Sequence, residues 1–332
     1  MHGVTRFENE ELNRFFGYQQ QYKRNMLHVN NGPDAFGNHQ FSEVGLYAGF
    51  YATEWSWTAL FADYDNDGFR DLFVSNGYPR DVTDLDYAVS GMSRGRGLSN
   101  EEAMTIIPVR SMSNYMFRNN GDLTFTNTTV DWGLGKPSFS NGAVFVDLDG
   151  DGDLEIVTSN YNEPAMVYEN TLLDGSRADN KHYVRLRFNV PAHQQIGTKA
   201  YIFHRNGMAY ADYNFFRGYR SSVESVLHFG LGEVQTVDSI LIIWHDGTMQ
   251  KLRDIAADQL LEIDYQPIGT FQGSFGRLHE GANLLFVEVT DVLGLEYFHR
   301  EKSFDDYQLQ ETLPHQYTHN GPPVATGAVS YT

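Results

Sequence analysis

Two stretches of this chain gather carboxylates at a spacing suited to a hard cation. Asp63-Tyr64-Asp65-Asn66-Asp67-Gly68-Phe69-Arg70-Asp71 places acids at positions 1, 3, 5 and 9 of a loop. Asp147-Leu148-Asp149-Gly150-Asp151-Gly152-Asp153-Leu154-Glu155 repeats the pattern, with Glu155 at position 9. Calcium takes about six to eight oxygen ligands at roughly 2.3–2.6 Å, and acids at alternate positions of a tightly curled loop converge on one point. Gly68 and Gly152 at position 6 permit the bend, and the carbonyl at position 7, of Phe69 or Asp153, is the expected backbone ligand. The expected Ca2+ ligands are therefore Asp63, Asp65, Asp67, Phe69 and Asp71 in the first loop. In the second they are Asp147, Asp149, Asp151, Asp153 and Glu155. Magnesium suits such loops less well, because it holds stricter octahedral geometry and keeps its waters.

The flanks decide what kind of loop this is. An EF-hand needs a bidentate Glu at position 12 and helices on both sides; Val74 and Thr158 stand there instead, and Leu72-Phe73-Val74 and Ile156-Val157 read as strands. Each loop is thus expected between β-strands. The strands recur as a unit. Asn25-Met26-Leu27-His28-Val29-Asn30-Asn31-Gly32 is echoed by Asn114-Tyr115-Met116-Phe117-Arg118-Asn119-Asn120-Gly121, and more weakly by Ala165-Met166-Val167-Tyr168-Glu169-Asn170. An aromatic strand follows the first two copies, at Phe41–Leu46 and Phe125–Thr129. An apolar strand then runs into each acidic loop, at Ala59–Ala62 and Ala143–Val146. Repeats of short strands that cannot bury their own faces indicate a propeller or solenoid.

Composition supports an all-β chain. Of 332 residues, 14% are aromatic and 31 are glycine, and the apolar runs are short, β-branched or aromatic. Asp and Glu number 43 against 24 Lys and Arg, a formal net charge of −19. Nucleic acid is excluded as a partner, since phosphate binding needs a basic face; an anionic membrane surface is disfavoured for the same reason. There are 0 cysteines, so no disulfide framework exists. No apolar run approaches the roughly 20 residues of a membrane-spanning helix.

The domain reading follows. Residues 1–24 form a helical lead-in, with one amphipathic helix expected over about 8–25. Residues 25–175 carry the blade repeats, interrupted by an insertion over 80–113. Inside it a capping box, Ser99-Asn100-Glu101-Glu102, should start a helix that Pro108 stops. Residues 176–267 form a separate β-sandwich-like module with alternating strands such as Tyr183-Val184-Arg185-Leu186-Arg187-Phe188 and turns at Asn206-Gly207 and Asp246-Gly247. Residues 268–332 hold a linker containing Gly269, Gly273 and Gly276 and the start of another blade.

On the loop and repeat residues the chain resembles the FG-GAP/VCBS repeat family, which forms the blades of integrin α-subunit propellers. Residues 182–265 resemble the ASPIC/UnbV domain, on Gly197-Thr198-Lys199-Ala200, Gly218-Tyr219-Arg220-Ser221-Ser222, His228-Phe229-Gly230-Leu231-Gly232 and Trp244-His245-Asp246-Gly247. The pairing implies a calcium-stabilised propeller, extracellular or at the cell surface, as in bacterial outer-membrane lipoproteins. Relatives carry more repeats before and after, so the chain is expected to be a fragment holding a partial β-propeller. Its unpaired edges would be covered by flanking repeats or by a partner in a surface complex. Leu313-Pro314 and Gly321–Ala325 look like the entry to another repeat, in which Ala328 replaces the first calcium Asp.

Other chemistry is weaker. Gly91-Met92-Ser93-Arg94-Gly95 fits the nucleophile-elbow string but lacks its strand-to-helix setting. His182, His193, His204, His228 and His245 have no zinc spacing. His299-Arg300-Glu301 and Asp305-Asp306 could pair as acid and base, although a solvated role is the plainer reading. Tyr47, Tyr51, Trp55, Trp57 and Tyr78 could stack on sugars or fill the core. The leading expectation is a calcium-binding module for a glycan or protein ligand, without turnover. The alternatives are a calcium-dependent polysaccharide lyase or hydrolase and a structural subunit.

Overall fold

The computed structural model describes residues 12–18, 24–34, 37–81, 99, 102, 105, 107–173 and 180–271. Every described residue belongs to one compact unit, within Met1–Gln272. The fold is all-β. Three groups named above lie outside the described residues: the Gly91–Gly95 string with Ser93, the acid/base candidates His299–Glu301 and Asp305-Asp306, and the segment up to Ala328.

The repeats become antiparallel sheets. Strands β1 (His28–Pro33) and β2 (His39–Glu43) form a hairpin. Strands β3 (Ser56–Ala62) and β4 (Asp71–Asn76) flank the first acidic loop. After a two-residue β5 (Met112–Ser113), β6 (Tyr115–Asn119) and β7 (Phe125–Asn127) complete a four-stranded sheet of order β3-β4-β6-β7. A short β8 (Pro137–Ser138) pairs with β5. Strands β9 (Ser140–Val146) and β10 (Glu155–Asn160) flank the second acidic loop, and β11 (Met166–Tyr168) closes a three-stranded sheet. The three copies of the Asn-rich motif thus fall on β1, β6 and β11. Among the described residues the repeats make two blade-like sheets and a hairpin.

Packing explains which strands are apolar throughout. Every residue of β4 is buried, because both its faces are covered. Leu72 and Val74 pack with Ala48, Phe50 and Phe117 on one side. Phe73 packs on the other with Leu60, Met116, Ala143 and Ile156, the last two from the second sheet. Strand β3 alternates instead, with Thr58, Leu60 and Ala62 buried.

The remaining strands form a sandwich. One sheet has the order β15 (Leu227–Gly232), β12 (His182–Phe188), β18 (Gln259–Ile263). The other runs β14 (Gly207–Asp212), β13 (Lys199–His204), β16 (Thr236–Ile243), β17 (Thr248–Ala256), β19 (Gly269–Thr270). Val184, Leu186 and Phe188 of β12 meet Ile202, Val237, Ile240, Ile242 and Trp244 across the gap between sheets.

Several expectations need correcting. One unbroken helix over 8–25 is not formed: in the described part Phe16 N–H bonds the Leu12 carbonyl at 2.9 Å, and Gly17 at φ 69° ends the helical stretch there. The module does not stop at Pro267, because Gly269 pairs with Met249 as an edge strand. The β13–β14 hairpin turns at Arg205-Asn206, one residue early, with Gly207 opening β14. The sandwich is also not separate from the blades; it docks directly on both acidic loops. The capping box is present: Glu102 N–H donates to Ser99 Oγ (3.3 Å) and Ser99 N–H to Glu102 Oε2 (2.9 Å).

Candidate metal centre

Each acidic loop is curled by its own side chains. In the first, Asp63 accepts from Asp67 N–H (3.0 Å) and Gly68 N–H (2.8 Å), and Asp71 accepts from Tyr64 N–H (3.1 Å). In the second, Asp147 accepts from Gly150 N–H (2.6 Å) and Gly152 N–H (3.1 Å), and Glu155 from Leu148 N–H (2.6 Å). Gly68 and Gly152 adopt φ of 95° and 98°, as the bend at position 6 requires. Position 4 is left-handed as well, with Asn66 at φ 51° and Gly150 at φ 83°, a demand that Asn meets nearly as readily as Gly.

The curl brings Asp63, Asp65 and Asp71 together, each offering an oxygen within 4.8 Å of the others. Asp147, Asp149 and Asp151 do the same. Asp67, Asp153 and Glu155 fall outside these two groups of three. Asp67 accepts from Phe69 N–H (2.9 Å) and lies 3.6 Å from the Arg118 guanidinium. Asp153 accepts from Leu173 N–H (2.9 Å), which leaves its expected contribution to its carbonyl, as for Phe69.

The electrostatics fit a hard cation. Asp63 is held well above the usual carboxylate range by burial first, and then by Asp67, Asp71 and Asp65. Burial pushes Asp71 up to about 7 and Asp151 and Asp153 each to about 6, and raises Asp65 and Glu155. Asp153 Oδ1 and Glu155 Oε1 are buried without a hydrogen-bond partner among the described residues. Crowded, partly buried carboxylates take up either protons or a metal ion, and an all-oxygen donor set suits calcium.

The loops also touch residues that their spacing did not announce. Arg185, buried on β12, donates to Asp147 of the second loop and to Glu224. Asn66 of the first loop donates its amide to the Gly152 carbonyl (3.1 Å) and accepts from His228 Nε2 (2.7 Å). Burial lowers His228 to about 3, so it is neutral there. Gly232 N–H reaches the Asn66 carbonyl (2.8 Å), and Tyr219 N–H reaches Thr58 Oγ1 (2.9 Å). A Cβ on Gly230 would lie 2.0 Å from Asp63 Oδ2, and one on Gly152 would lie 1.9 Å from the Tyr183 ring. The two segments around Gly218 and His228, singled out in the sequence, therefore form the joint between sandwich and blades. Arg118 on β6 donates to Asp65 Oδ2 (3.1 Å), and Asn170 donates to the Tyr64 carbonyl (2.8 Å) and the Leu154 carbonyl (3.4 Å). The recurring Asn-rich motif was the one sequence signal that could have pointed to Arg118 and Asn170.

The candidate sugar-stacking aromatics do not form a platform. Trp55 stacks on Tyr78 (4.8 Å, 20°) and Trp57 packs on Tyr219 (4.7 Å), so these rings occupy one another's faces. The cavity beside Trp55 and Tyr78 measures about 30 Å³. Tyr47 and Tyr51 are exposed on the segment after β2. Of the histidines, His182 pairs with Asp258 (2.7 Å) and His228 stacks on Tyr183 (6.2 Å).

Comparison with known proteins agrees with this architecture. Residues 103–158 match the FG-GAP-like repeat family, and residues 190–269 match the ASPIC and UnbV family. The chain is similar to cartilage acidic protein 1 of Homo sapiens, at 25% identity over 216 residues, covering 63% of this chain and 28% of that protein. It is similar also to cartilage acidic protein 1 of Mus musculus, at 25% identity over 240 residues, covering 61% and 36%. The chain thus spans about a third of the length of these relatives. The first acidic loop lies outside the matched repeat, yet it shares the curl and the carboxylate cluster of the second.

Proposed function

From a chain that carries an FG-GAP-like repeat joined to an ASPIC and UnbV domain, we propose a calcium-binding recognition module of an extracellular or cell-surface protein. The observation that carries this reading is the pair of three-carboxylate clusters, one in each loop, with oxygens within 4.8 Å. Calcium there would relieve the repulsion that raises Asp63, Asp71 and Asp151, and would rigidify the surface on which the sandwich docks. Among the described residues no helix is long and apolar enough to cross a membrane. Binding rather than turnover is the proposed role, because calcium coordination occupies the clustered carboxylates and leaves them little freedom for acid–base work.

Calorimetric titration of chelator-treated protein tests this. Two calcium sites are expected, with one lost in Asp65→Ala and one in Asp149→Ala. Free calcium at a hundredfold excess over the dissociation constant should stabilise the fold by about 2.7 kcal/mol per site. No binding heat, together with an identical melting curve in EDTA and in calcium, would refute the proposal.

A further inference from the structure

A cavity of about 690 Å³ opens between the two blade-like sheets, within the size range of about 300–1,000 Å³ typical of small-molecule sites. Met116, Leu154 and Ile156 form an apolar wall that continues into the inter-sheet core. Trp132 and Tyr168, both partly buried, add two aromatic rings to the lining. The polar lining includes Asp65, Asp131, Glu169 and Arg118. A separate observation points to an absent partner. Tyr64 also lines the cavity, and its phenolic oxygen is buried with no hydrogen-bond partner among the described residues. Buried polar atoms are nearly always paired, so this hydroxyl is a group in want of one.

The lining selects a class of ligand. Three carboxylates face one guanidinium, and that guanidinium is already engaged by Asp65 and Asp67. An acidic sugar or a phosphate ester would meet net repulsion. A molecule with many hydroxyls to donate and one apolar face to lay against indole and phenol rings would satisfy both halves of the lining. We infer that this cavity is a binding site for a neutral pyranoside, with Trp132 and Tyr168 packing on the sugar's C–H face, Tyr64 bonding a hydroxyl, and Asp131 and Glu169 accepting others. This deepens the recognition role proposed above and rests on it. Because Asp65 belongs both to the first carboxylate cluster and to the cavity wall, calcium in that loop would fix one side of the sugar site.

The test is saturation-transfer NMR and calorimetry on the full chain with excess calcium. The probes are methyl glycosides of glucose, galactose and mannose, with methyl glucuronide and tetramethylammonium as charged controls. At least one neutral glycoside should bind. Trp132→Ala should weaken binding about tenfold, and Tyr64→Phe should weaken it several-fold. Since the Tyr64 hydroxyl has no partner among the described residues, Tyr64→Phe should leave the melting temperature unchanged or raised, which separates lost binding from lost folding. Both variants should still titrate two calcium ions, so failure of the sugar site and failure of the calcium reading are distinguishable. Absence of binding by all three neutral glycosides, preference for either charged probe, or binding indifferent to both substitutions would overturn the inference.

Discussion

The two acidic loops share a frame and differ in the cation that leans on it. At position 8, the Arg70 carbonyl accepts from the Asn119 amide (3.0 Å) and the Leu154 carbonyl from the Asn170 amide (3.4 Å). Asn119 and Asn170 occupy the same place in the repeated motif. One residue earlier the copies diverge: Arg118 reaches Asp65 and Asp67 of the first loop, whereas Glu169 stands at the matching place beside the second. The second loop takes its positive charge from another module, through buried Arg185 on Asp147 and Glu224. Arg118 is half exposed, so water and salt screen its contribution; Arg185 is not. A repeat can thus keep its ligand spacing, and both copies can touch the sandwich, while the arginine paired with one copy comes from its own sheet and the arginine paired with the other comes from the neighbouring domain.

The largest effect expected from this difference is on folding without calcium. Arg185→Met leaves Asp147 and Glu224 without their cation and should cost about 3–5 kcal/mol. Arg118→Met should cost at most about 1 kcal/mol, as exposed pairs do. Urea unfolding of both variants in chelator measures this, and equal losses would abolish the contrast.

A smaller effect isolates the docking. Gly150 and Gly152 are both left-handed, but a Cβ on Gly150 meets nothing within 4 Å while one on Gly152 runs into Tyr183. Gly150→Ala should show the backbone strain alone, about 1–2 kcal/mol. Gly152→Ala should lose about 1–3 kcal/mol more from overpacking. If Tyr183→Ala fails to reduce that excess, the sandwich is not what constrains the second loop.

The smallest difference lies in pH dependence. A carboxyl whose pKa is higher folded than unfolded binds a proton on folding, so in chelator stability falls as pH rises from about 4 through the folded pKa. Calcium needs the deprotonated form, so its affinity should rise over the same interval. With Asp71 near 7 and Asp151 and Asp153 near 6, the two sites should level off at different pH. Titration of Asp149→Ala, which keeps the first loop with Asp63 raised well above the carboxylate range and Asp71 near 7, should plateau at higher pH than that of Asp65→Ala, which keeps the second. Coincident plateaus would show that the loops titrate alike.

Much of this was legible in advance because it is local. Alternating acids with glycine at position 6 specify a curled loop, whatever surrounds it. The all-β class followed from short β-branched and aromatic runs, and the capping box at Ser99 and Glu102 from four consecutive residues. The expected N-terminal helix does not run unbroken to residue 25 because Gly17 ends it, a stop that the apolar spacing of Leu12, Phe15 and Phe16 conceals. Gly269 reads as linker because glycine is depleted in strands and two residues are too few to show alternation; its pairing is supplied by the open edge of β17.

By itself the sequence determined the two acidic loops, the strands that flank them and the alternation of β12, since each depends on neighbours within a few residues. Only the tertiary structure decided what lies against them. Arg185 and Tyr183 sit on the polar face of an alternating strand, a pattern that ordinarily means solvent. Here that face covers the second loop, and Gly230 is small because Asp63 lies behind it. Such contacts join residues as far apart as Asn66 and His228, and no local propensity encodes them. They arise when one sheet of the sandwich, its apolar face buried against the other sheet, comes to rest with its polar face against the pair of loops.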